Sequence, residues 1–294
     1  MKKKDVKNDP GTLYLVSTPI GNMEDMTYRG IRILSEVDFI FCEDTRRSSQ
    51  LMHHFKIQGK APLESFHDRS PGKIIKKVEA LLQDGKAVAY TTDAGIPGVS
   101  DPGFVLVRAA LRVGAAVTVI PGPSAASMVF AASNLPSPKY FFHAFFPRTR
   151  GEVERTLELI KTLPVVHVFY EAPGRILHLL EVLSKNVPDA EVVMGRELTK
   201  LHEEWLRGPA SELFETLKQR EEAEGRIRGE FAVAVHFDAK YKAIVREKSA
   251  TDSEDLGSIV QLELTDEQKK EISEKLRSGL SSKDAAKELA KKFR

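Results

Sequence analysis

Four times in the first 135 residues an apolar run ends in a turn rich in Pro, Gly, Ser, Thr or Asp, and a segment with helical spacing follows. Residues 13–16 lead into Ser17-Thr18-Pro19-Ile20-Gly21-Asn22, and residues 37–42 into Glu43-Asp44-Thr45-Arg46-Arg47. Residues 87–90 lead into Thr91-Thr92-Asp93-Ala94-Gly95-Ile96-Pro97-Gly98, and residues 116–120 into Pro121-Gly122-Pro123-Ser124. Short apolar runs bounded by turn residues are the pattern of buried strands, and the intervening lengths accommodate helices. Helices are expected at residues 73–83, where Ile74, Ile75, Val78, Leu81 and Leu82 share a face before Asp84-Gly85, and at residues 104–113, stopped by Gly114. Strand and helix in alternation constrain this part to an α/β domain with a largely parallel sheet. Ligands of such sheets bind beyond the C-terminal strand ends, and all four turns lie there. The pattern therefore expects one ligand site at one sheet edge.

Asn134-Leu135-Pro136-Ser137-Pro138 interrupts the series, because two prolines in three positions do not continue a helix. A first domain over residues 1–135 and a second over 136–238 are expected. In the second, residues 140–146, 165–170, 191–194, 201–206 and 231–237 read as strands. Residues 152–163, 175–183 and 211–220 read as helices, with Ser211 as a cap. Residues 239–264 are polar and without a period, which reads as a linker. Thr265-Asp266-Glu267-Gln268 has the form of a capping box. With Ser281-Ser282 as a second cap, residues 265–294 read as a small helix-turn-helix-like tail with nine Lys/Arg against six Asp/Glu. The expected fold class is α/β: two mixed α/β domains with a cleft between them and a C-terminal helical tail.

Composition bounds the partners. The 294 residues hold 44 Lys and Arg against 42 Asp and Glu, a net charge of only +2, so any polyanion would have to be met by a local basic patch. One cysteine, Cys42, leaves no internal disulfide. No apolar stretch approaches the ~20 residues that span a bilayer. The expectation is a cytoplasmic protein with no membrane partner.

Pro and Gly turns let a ligand approach the backbone, whose N–H and C=O groups then serve a polar, zwitterionic or purine ligand. Residues 93–103 pack two Asp, three Gly and two Pro into eleven positions, far more than a chain reversal needs. Neither a G-x-x-x-x-G-K-[ST] loop nor a G-x-G-x-x-G after the first strand is present. Neither an H-E-x-x-H nor a Cys pair is present, so no metal is expected. His53 and His54 point in different directions on a helix, and His67 and His143 read as isolated, structural histidines.

Together the four blocks, with Ser100-Asp101-Pro102-Gly103 and Ala125, resemble the signature blocks of the tetrapyrrole methylase superfamily. More narrowly they are similar to its ribosomal RNA branch, which methylates a cytidine 2′-hydroxyl in small-subunit rRNA. The resemblance covers residues 11–237, and the tail also fits that branch. It implies S-adenosylmethionine in the cleft between two domains, a homodimer, and small-subunit rRNA or the assembled small subunit as partner. It implies cofactor contacts from Pro19, from Thr92, Asp93, Ala94 and Ile96, and from Ser124 and Ala125. From the second domain it adds Tyr170, Glu171, Leu198, Gly229, Glu230 and Phe231.

A ribose hydroxyl is a weak nucleophile, so a carboxylate that takes its proton would help. Asp44, Glu43, Asp93 and Asp101 are the candidates, each with a turn or cap as its plainer role. Arg46, Arg47, Arg148, Arg150 and Arg155 are candidates for RNA phosphate, against an internal salt bridge for the first two. Three other readings stay open. One is a porphyrinoid C-methyltransferase, which usually carries Gly-Gly-Asp-Pro where this chain has Thr92-Asp93-Ala94-Gly95. Another is a nonenzymatic RNA-binding module. The third is a nucleotide hydrolase, for which no Walker-type loop is visible.

Overall fold

Three of the four apolar runs of the N-terminal half become strands buried on both faces, and the fourth, residues 116–120, becomes a largely exposed edge strand. The computed structural model describes residues 9–59, 61–67 and 72–237, and these fall in one compact unit. Five strands form the first sheet: β1 (Thr12–Val16), β2 (Phe39–Cys42), β3 (Leu63–Ser65), β4 (Ala87–Thr91) and β5 (Ala116–Ile120). Their order is β3-β2-β4-β1-β5, and every pairing is parallel. Along β4, Val88 and Tyr90 join one core, and Ala89 between them joins the other. The first core is filled by α3 (Gly72–Gln83) through Ile74, Val78 and Leu82 and by α4 (Gly103–Arg112) through Leu106 and Ala110. The second is filled by α1 (Tyr28–Glu36) through Ile33 and Leu34 and by α2 (Thr45–His54) through Leu51. Strands covered on both sides carry continuous rather than alternating hydrophobicity. Each fully buried aliphatic side chain contributes about 1.5–3 kcal/mol.

The topology leaves a crevice. The chain leaving β1 runs to α1 on one face, and the chain leaving the neighbouring β4 runs to α4 on the other. Where successive connections diverge, the C-terminal sheet edge opens.

The second sheet holds β6 (Tyr140–Phe145), β7 (Val166–Glu171), β8 (Glu191–Arg196), β9 (Glu204–Pro209) and β10 (Phe231–His236), ordered β6-β7-β10-β8-β9. Only β6 and β7 pair in parallel. On one face lie α6 (Arg150–Thr162), α7 (Ile176–Asn186) and α8 (Ala210–Glu224), burying Ile160, Leu180, Leu183 and Leu213 against Phe169, Met194 and Val233. On the other lies α5 (Ala125–Ala131), which follows β5 in sequence yet sets Ala126 and Val129 against Val168, Val193 and Ala234. One helix from the first half thus covers the second sheet.

Several elements differ from expectation. β3 has no counterpart among the expected strands, because three half-buried residues carry no periodicity. The strand expected at 201–206 starts at Glu204, since residues 199–202 make a turn in which Thr199 has φ 65°. Ser211 does not cap: α8 begins at Ala210, the cap position is Pro209 with an extended ψ of 147°, and a proline there disfavours helical backbone at the residue before it. The expected linker and helical tail lie outside the described residues. Among the described residues no helix is long and apolar enough to cross a membrane.

Candidate active site

The turns after β1 and β4 are latched together. Thr18 N–H donates to the Gly95 carbonyl at 3.0 Å, and Gly95 N–H returns a bond to Thr18 at 3.1 Å. Thr18 Oγ1 adds a bond to the Thr92 carbonyl at 3.1 Å. The turn after β5 packs as closely: a Cβ on Gly122 would lie 2.5 Å from Ser17 Cβ, so only glycine fits. The first, third and fourth turns are therefore packed together at the sheet edge.

Carboxylates organise the rest. Glu43, after β2, accepts from Thr92 Oγ1 at 2.6 Å and from Asp93 N–H at 3.1 Å. Asp93 Oδ1 accepts from Asp44 N–H at 3.1 Å, and its Oδ2 lies 3.4 Å from Arg47 Nη1. Burial, and then the Glu43 charge, push the Asp93 carboxyl above its usual range against the opposing pull of Arg47. Asp101 accepts from Gly98 N–H with both oxygens and from Gly103 N–H at 2.7 Å, which pins the loop into α4. Burial nevertheless raises its carboxyl. Asp44 differs. It caps α2 by accepting from Arg46 N–H, and it takes the Arg46 guanidinium in two further bonds, at 3.1 and 2.7 Å. The Arg46 side-chain bonds hold it down at about 2.

The second sheet closes the site. Tyr170 OH, at the end of β7, accepts from Ala126 N–H at 3.2 Å in the first turn of α5. Glu171 is 2% exposed; its Oε1 accepts from Ala172 N–H, while Oε2 lies 3.4 Å from Arg175 without a hydrogen bond. Burial raises this carboxyl too. A register shift between Phe142 and Phe145, with Ala144 at φ 61°, turns Phe145 into the cleft. From the β8 end, Glu197 at φ 50° donates its N–H to the Glu230 carbonyl, and its Oε1 accepts from Glu230 N–H and from Lys200 Nζ, both at 2.8 Å. A Cβ on Gly229, whose φ is 94°, would lie 2.7 Å from Glu197 Cγ. The result is a cleft of about 510 Å³ between the two sheets.

The sequence profile described as Tetrapyrrole (Corrin/Porphyrin) Methylases matches residues 12–213. A Thermotoga maritima protein named ribosomal RNA small subunit methyltransferase I is 43% identical over 210 residues, spanning 71% of this chain and 93% of that protein. The chain belongs to the tetrapyrrole methylase family. The Bacillus subtilis protein of the same name is 39% identical over 229 residues, covering 78% of this chain and 76% of its own length. Solved structures share the fold at lower identity. A cobalt precorrin-4 methyltransferase superposes with TM-score 0.57 at 17% identity, covering 76% of this chain and 94% of its own. The methyltransferase CobJ gives 0.58 at 16%, covering 78% and 95%.

In this member of the tetrapyrrole methylase family, eleven of the thirteen residues expected around a cofactor line the cleft. They are Thr92, Asp93, Ala94 and Ile96 of one turn, Ser124 and Ala125 of another, and Tyr170, Glu171, Leu198, Glu230 and Phe231 from the second sheet. Pro19 and Gly229 do not line it; Gly229, at φ 94°, packs against Glu197, which does. Glu43, Asp101 and Arg47 line it, whereas Asp44 and Arg46 face each other outside it. Arg148 lies near enough to Glu171 to oppose in part the rise that burial causes, and Arg150 is paired with Glu154 on the exposed start of α6. Sequence reading misses Ile20, Val99, Phe145, Glu197 and Lys200 among the lining residues. Phe145 depends on a bulge and Glu197 on a positive φ, neither of which has a signature in a single sequence. His143 is not isolated: its Nε2 lies 2.8 Å from His167 Nδ1.

Proposed function

We propose that the chain transfers a methyl group from S-adenosylmethionine to a cytidine 2′-hydroxyl of small-subunit ribosomal RNA. The observation that carries the reading is the coincidence of the 43% identical relative with a cleft of cationic preference. Its lining holds six carboxylates, Glu43, Asp93, Asp101, Glu171, Glu197 and Glu230, against two basic side chains, Arg47 and Lys200. Such a cleft attracts a ligand carrying a sulfonium and an ammonium group. Its volume of about 510 Å³ suits a nucleoside-sized molecule. Glu171 Oε2, buried and without a hydrogen bond, would accept from a ligand N–H or O–H.

The cofactor supplies an activated methyl group, so the chain's own residues have position and a proton to manage. The backbone of residues 92–96, with Ser124 and Ala125, would cradle it, and Tyr170, Leu198 and Phe231 would exclude water around it. Asp93 is the carboxylate best placed to take the hydroxyl proton. It lines the cleft, one oxygen is only loosely paired, and its raised pKa makes it a stronger base than an ordinary aspartate. Asp44 is tied to Arg46, and Asp101 is committed to three bonds from backbone N–H groups.

We also propose a homodimer in the cytoplasm. Supporting the dimer, edge strand β6 exposes Tyr140 and Phe141, and edge strand β5 exposes Val119. The test of the activity is incubation with methyl-labelled cofactor and either free small-subunit rRNA or assembled small subunits, with mapping of the modified nucleotide. Label at a cytidine ribose is the expected result. Label on an added porphyrinoid, or on no acceptor, sinks the reading.

A further inference from the structure

A second cavity, of about 280 Å³, is lined by Arg196, Arg220, Arg226 and Arg228 with Leu217, Glu224 and Ile227. We propose that it is a phosphate site for the RNA strand whose reacting ribose lies in the cleft; this rests on the RNA-methylation reading above.

Internal pairing accounts for only half of the arginines. Glu204 Oε2 accepts from Arg196 Nη1 at 3.0 Å and from Arg220 Nη1 at 2.8 Å, so one carboxylate serves two guanidinium groups. Arg196 Nε donates to the Arg228 carbonyl at 2.7 Å, which fixes the turn. Among the described residues, Arg226 and Arg228 have no ion-pair partner, and both are exposed. With Glu204 and Glu224 counted against them, the four arginines keep a formal excess of two positive charges.

The cavity shares its wall with the cleft. Successive side chains of a strand point to opposite faces. At the end of β8, Gly195 and Glu197 line the cleft and Arg196 between them lines the cavity. In the turn before β10, Glu230 lines the cleft and Arg228 the cavity. The cleft and the arginine cavity thus lie on opposite sides of the same strand end, separated by one or two residues of backbone, so an RNA strand would have to turn over that edge to meet both.

Electrostatics favours a site of this kind. A cleft with six carboxylates and two basic groups attracts the cofactor but repels phosphodiesters. Affinity for a polyanion must come from beyond its rim, and the planar, donor-rich arginine fork suits phosphate oxygens.

The experiment compares the full chain with the double variant R226Q/R228Q and with R32Q/R112Q. The latter removes the same charge from α1 and α4, away from both cavities. Affinity for transcribed small-subunit rRNA is measured across a salt series, with cofactor affinity by calorimetry and transfer kinetics alongside. For R226Q/R228Q, RNA binding weakens about tenfold or more, and the salt slope falls by about 0.7 for each single-strand phosphate that is no longer neutralised. KM for RNA rises while cofactor affinity holds, and R32Q/R112Q behaves as the unmodified chain. Unchanged RNA affinity and slope in R226Q/R228Q, or an equal loss in R32Q/R112Q, overturns the site. If the unmodified chain binds RNA yet methylates none, the methylation reading falls while the phosphate site is still judged by the slope. If it binds no RNA, both fall.

Discussion

Asp93 sits between two opposing influences, burial with Glu43 on one side and Arg47 on the other. The group must be ionised to act as a base, so transfer rises with pH through its pKa. That pKa lies above the ordinary aspartate value, and the acid limb of the kcat profile is expected there. Removing Arg47 removes a lowering influence, so Arg47→Ala moves the limb to higher pH at saturating RNA. A limb that stays put, or moves down, contradicts the assignment. Asp93→Asn is expected to cut kcat by roughly 10²-fold or more, in the range of a lost general base, with folding intact by circular dichroism. Asp44→Asn keeps a capping side chain and is expected to cost kcat far less. Much of this site is legible in the sequence, because Pro and Gly blocks at strand ends announce where backbone must meet ligand. What is not legible is which of four neighbouring carboxylates is free. That depends on Arg46 turning back on Asp44 and on Gly98 and Gly103 committing Asp101. Both are side-chain or turn geometries that spacing does not encode.

At the scale of elements, β6 and β7 carry a histidine pair, His167 buried and His143 half-buried. His143 and His167 meet at 2.8 Å, and His143 stacks on Phe169 with ring centroids 4.5 Å apart. Burial, and then the His167 charge, push His143 down to about 4, and burial lowers His167 as well. The folded state thus refuses protons that the unfolded chain accepts below its ordinary value of 6.5. This contribution to stability is whole above pH 6.5 and is lost as pH falls toward 4. Thermal melts are expected to drop across that window, and His143→Phe to flatten part of the drop. A melting temperature independent of pH there refutes the account. The alternation of strand and helix in the first half is readable because parallel strands buried on both faces need continuous apolar runs. The second sheet is readable only as a set of strands. Its order, with β10 inserted between β7 and β8, comes from pairings distant in sequence. The start of α8 escapes sequence reading because Ser211 is a good cap by type, while Pro209 decides the backbone.

For the whole molecule, edge strands set the expectation. An exposed apolar edge is a template for association unless covered. Sedimentation is expected to give twice 32.8 kDa. Phe141→Asp, which charges the exposed face of β6, is expected to shift the species toward monomer, and a monomeric unmodified chain would dispose of the dimer. The same comparison should show cofactor affinity unchanged, because Phe141 is outside the cleft lining.

The paired bond between Thr18 and Gly95 has a consequence for how binding is felt. The two turns are joined by the chain's own backbone bonds, so cofactor capture is expected to have little chain to order there. Their amides should rank among the slowly exchanging hydrogens of the loops even in the cofactor-free protein, with further slowing on binding concentrated instead around Phe145 and Glu197. Breaking the latch would leave the sheet folded but make recognition depend on an entropy that the native chain has already given up.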